Sequence, residues 1–212
     1  MKSLLSVSLC LLLICCSCAP SITRDCRKGE TLLIGKEQLL PMVDASAGLC
    51  KYNMTIDFMR KHFSGLLLVK ETDQGTYRTL FSTHFGLSLF DLEIGRDGLV
   101  VHHCIEPLNK KKMLDLFYRD FSVLFGLNIQ PENKAVVYSC TKPQTDIVYK
   151  LFLPGFQGYY RVDDITNRIQ EIKLGAGLRK TTFRSLPDTT GIETIRIRHT
   201  GLRLSIGLGA LK

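Results

Sequence analysis

From residue 51 to the C-terminus, apolar and polar residues alternate in short runs that are broken at regular intervals by turn-forming residues. Tyr52, Met54, Ile56 and Phe58 share one parity, and Asn53, Thr55 and Asp57 the other. Successive side chains of a strand point to opposite faces, so this run predicts a half-buried strand. Comparable segments follow at 66–71, 76–83, 87–94, 99–105, 134–140, 146–152, 157–163, 167–174, 178–185, 192–199 and 202–209. Lys61–Gly65, Thr72–Gly75, Thr83–Gly86, Gly95–Gly98, Pro154-Gly155, Pro187-Asp188 and Thr200-Gly201 supply the turns between several of them. About a dozen short strands spaced in this way predict an antiparallel meander, curled into an open or closed barrel.

The period changes once. Between Pro107 and Phe125, the residues Met113, Leu114, Phe117, Phe121, Leu124 and Phe125 recur at three and four positions, which is the stripe of an amphipathic helix. Pro107 is tolerated at or ahead of the first turn, and Gly126 suits the C-terminal end. The expected class is therefore mainly β, in the α+β sense.

The N-terminus reads differently. Lys2 precedes an uncharged apolar run over residues 4–16. That run is shorter than the roughly 20 residues needed to span a bilayer, and it has the form of a signal peptide. Ser17 stands before Cys18, a small residue ahead of a cysteine, as at a lipoprotein cleavage site. Cys18 is the expected acylated residue, with Cys16 as the alternative. The expected organisation is a signal peptide over 1–17, a lipid anchor and tether with one short ordered piece over 18–49, and a single domain over 50–212.

Cys26, Cys50, Cys104 and Cys140 remain, and an exported chain permits disulfides. Cys104 and Cys140 both end predicted strands. If those strands are antiparallel neighbours, the two ends lie apart, beyond the ~7 Å that a bridge tolerates. Mostly free, buried thiols are expected.

Signatures of chemistry are missing. The chain has no His-Glu-x-x-His and no Gly-x-Ser-x-Gly, and its glycines at 29 and 35 are misplaced for a phosphate loop that would also need Ser or Thr at Glu37. In His102-His103-Cys104, His102 and Cys104 share a strand face, but two ligands fall short of the four of a structural metal site. Asp146, Asp163 and Asp164 are read as solvated carboxylates. No enzyme activity, cofactor or metal is expected. The net charge of +8 favours anionic partners, namely lipid head groups, lipopolysaccharide or acidic proteins, and export argues against nucleic acid. Lys110-Lys111-Lys112 is either a solvated face or a contact with anionic lipid, where each lysine adds about 1 kcal/mol. Arg196, Arg198 and Arg203 oppose Ile195, Ile197, Leu202 and Leu204 in parity, which places these arginines outward.

Several segments carry a family likeness. Phe63-Ser64-Gly65-Leu66-Leu67-Leu68-Val69-Lys70 is a glycine followed by an apolar strand. Tyr77-Arg78-Thr79-Leu80-Phe81-Ser82-Thr83-His84-Phe85-Gly86 is a Tyr-Arg strand running into a turn that ends apolar-Gly. The stretch from Lys180 through Pro187 to Leu208 closes the chain as strand, Pro-containing turn and two strands. In these features, and in the inserted helix and lipid anchor, the chain resembles LolA/LolB-like carriers, the periplasmic lipoprotein carrier and its lipid-anchored outer-membrane receptor, in a divergent Bacteroidetes-type form. The likeness spans most of 50–210, as architecture more than identity.

The resemblance implies an open antiparallel half-barrel of about 11–12 strands with a helical lid. It also implies an apolar cavity for acyl chains, and Phe85 as the membrane-contacting residue before the turn glycine. The receptor's Asn-Pro ahead of that residue is here Thr83-His84, and Phe85 is otherwise the first core residue of the next strand. Tyr52, Met54, Ile56, Phe58, Leu67, Phe81 and Phe90, with Met113, Phe117 and Phe121 of the helix, are the expected cavity lining. Apolar burial at about 0.8 kcal/mol per CH₂ makes such a cavity a lipid site without polar motifs. The expected partners are acyl chains of lipoproteins or lipids, the inner leaflet of the outer membrane and a periplasmic carrier protein. The alternative is an accessory or scaffold lipoprotein whose fold is filled by its own side chains.

Overall fold

The computed structural model describes residues 21–130, 133–141, 146–153, 156–175, 180–187 and 193–211. The signal peptide and Cys16 and Cys18 lie outside the described residues. After a single 3-10 turn at Ser21–Thr23, the elements are β1 (Cys26–Ile34), β2 (Cys50–Phe58), β3 (Lys61–Asp73), β4 (Thr76–Ser82), β5 (Ser88–Gly95), β6 (Gly98–Cys104), α1 (Lys111–Leu124), β7 (Asn133–Cys140), β8 (Asp146–Leu153), β9 (Phe156–Asp163), β10 (Ile169–Leu174), β11 (Thr181–Pro187), β12 (Glu193–His199) and β13 (Leu204–Ala210).

The protein is mainly β. Its 13 strands form one open antiparallel sheet in the order β1-β7-β8-β9-β10-β11-β12-β13-β2-β3-β4-β5-β6. Nearly every neighbour in space is a neighbour in sequence, which short turns make possible. The two exceptions explain the architecture. After β6, at one edge, α1 carries the chain across to β7 near the opposite edge. Residues 35–49 then lead from edge strand β1 to β2 in the middle of the sheet. Both crossings bury apolar residues: Leu39, Met42, Val43 and Ala45 from 35–49, and Met113, Phe117, Phe121, Val123 and Leu124 from α1. The two are joined where the Val43 amide donates to the Leu124 carbonyl (3.1 Å).

One face of the sheet supplies the core. Register places Leu67 opposite Tyr52 and Phe81, and Phe81 opposite Phe90, so the alternating residues of β2 to β5 meet on the same side. Ile206 and Leu208 of β13 stand opposite Ile56 and Met54. Ile195, Ile197 and Leu204 are buried, whereas Arg196 and Arg198 are exposed on the outer face.

Three expectations are corrected. The first concerns 18–49, expected to be mostly tether: residues 26–34 form β1, paired along its length with β7. The second concerns the thiols. Cys26 is opposite Cys140 in that ladder, and the two form a disulfide; only Cys50 and Cys104 among the described cysteines are free. The bridge forms because β1 pairs antiparallel with β7, which sets the start of one strand against the end of the other, at Cα–Cα 4.1 Å. The third concerns the Lys61–Gly65 turn. The chain reverses earlier, at Met59-Arg60, with Met59 at φ 55°, and 61–65 belongs to β3. Gly65 is there for closeness: a Cβ would stand 1.9 Å from the Ser82 carbonyl oxygen of β4, the tight backbone approach that glycine permits within a strand.

The helix begins at Lys111, four residues after Pro107, and ends as glycine dictates. Gly126 has φ 65°; its amide donates to the Val123 carbonyl and that of Leu127 to the Ser122 carbonyl. These two bonds make a Schellman end.

Candidate functional site

The residues expected to line a cavity are buried and packed against one another. Met54, Ile56, Leu67, Phe81, Phe90, Met113, Phe117 and Phe121 are core residues, with Tyr52 and Phe58 half-buried against them. A continuous set of rings crosses from sheet to helix. Phe81–Phe90 and Phe90–Phe117 have centroids 5.3 Å apart, Phe121–Phe125 5.7 Å, and Phe125 stacks on Tyr77 at 4.4 Å. Edge-to-face and offset contacts of this kind add about 0.5–1.5 kcal/mol per pair to their burial. Burial pushes the Tyr52 phenol far up and that of Tyr77 to about 12.

A buried polar cluster joins the helix to the sheet beside these rings, and sequence reasoning missed it. Asp120 of α1 accepts a hydrogen bond from His199 Nε2 of β12 at 2.6 Å, with both side chains nearly inaccessible. Arg119 Nη2 and Thr181 Oγ1 approach His199 Nδ1 at 3.1 and 3.2 Å. A guanidinium only donates, so Nδ1 is the acceptor and Nε2 carries the proton toward Asp120. Thr181 and His199 face one another across β11 and β12. The signal was present: Asp120 lies three residues after Phe117, inside the apolar stripe, and His199 shares the inward parity of Ile195 and Ile197.

The end of the sheet carrying the β2–β3, β4–β5 and β12–β13 turns is different. Phe85 is fully exposed, at 100 % of its accessible surface, so the reading of Phe85 as a core residue does not apply. Its turn is nevertheless well ordered by hydrogen bonds. The Thr83 amide donates to the Leu87 carbonyl (2.8 Å) and the Gly86 amide to the Thr83 carbonyl (2.9 Å), while Thr83 Oγ1 accepts from the Leu87 amide (3.1 Å). Gly86, at φ 86°, supplies the left-handed residue that closes the loop. Met59, Leu87 and Leu202 are also exposed here. The β2–β3 and β12–β13 turns touch directly, the Met59 amide donating to the Arg203 carbonyl at 2.8 Å. Lys110, Lys111 and Lys112, at the start of α1, are exposed beside them. Lys110 pairs with Glu106 and Lys111 with Asp115.

The remaining candidates have ordinary partners. His102 Nε2 meets Glu93 and His103 Nε2 the Ser88 carbonyl, and no group of three metal-ligating side chains occurs among the described residues. Desolvation pushes the Cys104 thiol up to about 11. Asp146 is a correction: it is buried, not solvated, and accepts a hydrogen bond from Arg161 at 3.1 Å, because Arg161 stands diagonally across on β9. Asp163 is half-buried and holds the 164–168 turn through hydrogen bonds from the Thr166 amide and hydroxyl and the Ile165 amide, which lower its pKa. No described helix is long and apolar enough to cross a membrane.

Compared with models of known protein families and with curated proteins, the chain matches none.

Proposed function

We propose that the chain is a LolA/LolB-like lipoprotein of the bacterial envelope, acylated at Cys18 and tethered to the outer membrane facing the periplasm. In this reading the open sheet is a half-barrel and α1 its lid. The protein takes acylated cargo, lipoprotein or lipid, from a periplasmic carrier and delivers it to the inner leaflet. The observation that carries the proposal is Phe85: a large aromatic side chain entirely in solvent, on a turn ordered by its own hydrogen bonds, with Met59 and Leu202 exposed at the same end. Large exposed apolar side chains gathered at one place mark a surface that meets something apolar, and aromatic residues favour the bilayer interface. The Cys26–Cys140 disulfide suits an oxidising compartment.

The ring contacts favour a second reading, the accessory or scaffold lipoprotein, since an acyl chain between β5 and α1 at Phe90 would displace the rings of Phe81 and Phe117 packed on it at 5.3 Å. The carrier reading therefore requires α1 to move away from β5 on loading. Two measurements decide. Phe85→Glu leaves the melting temperature unchanged and impairs transfer of an acylated peptide to liposomes if the tip meets the membrane. Uptake of a fluorescent fatty acid by the full chain supports the carrier; no uptake under any loading condition favours the scaffold.

A further inference from the structure

The membrane-facing end holds a cleft as well as exposed tips. It has a volume of about 690 Å³ and opens between the β2–β3 turn, the β12–β13 turn and the residues ahead of α1. Small-ligand sites commonly occupy about 300–1,000 Å³. Its apolar walls are Phe58, Met59 and Pro107; its charged walls are Arg60, Lys61, Lys110 and Arg203 against one carboxylate, Glu106. Glu106 is already neutralised, since Lys110 donates to it and holds its carboxyl below the usual range. Arg60, Lys61 and Arg203 make no ion pair among the described residues, although each is exposed at the same opening.

Three cations without an ion pair, around an apolar wall, are the complement of a molecule with one anionic group and a hydrocarbon tail. We propose that this cleft binds one anionic phospholipid of the bilayer. Its phosphodiester lies against Arg60, Lys61 and Arg203, and the start of an acyl chain against Phe58, Met59 and Pro107. Recognition is electrostatic at the head group and apolar beyond it, so the site selects anionic over zwitterionic lipid. The inference rests on the proposed contact of this end with a membrane, and it does not depend on delivery of cargo. It makes the cleft a lipid-selective foot at the same end of the sheet as the Phe85 turn.

The test is native mass spectrometry of the full-length chain in non-ionic detergent, titrated with phosphatidylglycerol or phosphatidylcholine. Phosphatidylglycerol is retained at about tenfold lower concentration than phosphatidylcholine, as expected when two or more cations engage an anionic head group. The Arg60→Glu/Arg203→Glu variant loses that preference. The Arg196→Glu/Arg198→Glu variant, altered on the outer face of β12, keeps it. Lys61→Gln/Arg203→Gln is the milder pair, and thermal melting checks that each variant folds. Inorganic phosphate at matched concentration leaves lipid binding unchanged. The proposal is overturned if Arg60→Glu/Arg203→Glu retains the preference, if the outer-face variant loses it equally, or if phosphate displaces the lipid, since the site is then one for free anions. Phe85→Glu, run alongside, keeps the lipid preference even where it abolishes transfer. Loss of transfer alone thus speaks to cargo delivery, and loss of preference alone to the cleft.

Discussion

Phe90 and Phe85 stand five residues apart and have opposite fates. Phe90 is sealed between Phe81 and the helix rings Phe117 and Phe121, whereas Phe85 touches water on all sides. The core beneath α1 is apolar because burial stabilises the fold. The turn end is apolar without any such return, and Arg60, Lys61 and Arg203 beside it make no ion pair among the described residues. The contrast separates two reasons for an apolar residue in one short stretch of chain: one holds the protein together, and the other leaves it with a surface that water does not satisfy.

The sharpest way to break this contrast is to make the same kind of change in both regions. Phe90→Ala removes a ring from a packed interior and is expected to cost about 3–5 kcal/mol, read as a lower midpoint in urea unfolding. A neutral outcome would mean that the interior relaxes around lost volume and is not the packed core described. Next comes Asp120→Ala. It leaves the buried His199 Nε2–H without its acceptor and is expected to destabilise by about 1–3 kcal/mol, the cost typical of an unsatisfied buried donor. Asp120→Ala/His199→Ala should cost less than the two single changes added together, and a double-mutant cycle measures the coupling.

The outer face of the same strands gives a smaller, pH-dependent effect. Arg78 holds Asp91 through two hydrogen bonds, at 2.6 and 2.8 Å, and lowers its pKa. A carboxyl lowered in the folded state contributes stability above its unfolded pKa and loses it as pH falls through the folded value. Arg78→Met should therefore melt lower than the wild type near neutral pH, and the gap should close on acidification below the ordinary carboxylate range. A gap that persists in strong acid would assign the effect to lost packing of the arginine stem. Smallest of all, Phe85→Ala should change stability by no more than about 0.5 kcal/mol. A shift comparable with that of Phe90→Ala would place Phe85 in the core and erase the distinction.

How much of this was legible in the sequence follows from what each region needs. Strands β2 to β5 and β8 to β13, and α1, each bury one face, and burial writes a period that can be read. Edge strand β1 has none: from Arg27 to Leu33 every residue is exposed, and backbone pairing and the disulfide hold it in the sheet. A segment held that way leaves no alternation. The packed interior was unreadable for another reason. A hollow barrel and a filled one both require apolar residues at Met54, Leu67 and Phe81, so patterning fixes the inward face but not whether space remains inside it. Asp120 and His199 were missed because a polar residue in an apolar stripe reads as an interruption until its partner is found on another element. Phe85 was legible as a turn residue, since the turn glycine follows it directly.

The Cys26–Cys140 bridge has a mechanical consequence. Cys26 is the first residue of β1, at the very end of a ladder bonded on one side only. Tension on the N-terminal side of such a strand would open its hydrogen bonds one after another, as a zipper opens from its free tab. The disulfide sits at that tab and joins it to a residue 114 positions away in sequence. Load arriving from the N-terminal side passes through sulfur into β7, which is held by neighbours on both sides. If the chain is anchored through Cys18 as proposed, a pull from the membrane enters the sheet at β7 and does not peel β1 from its edge.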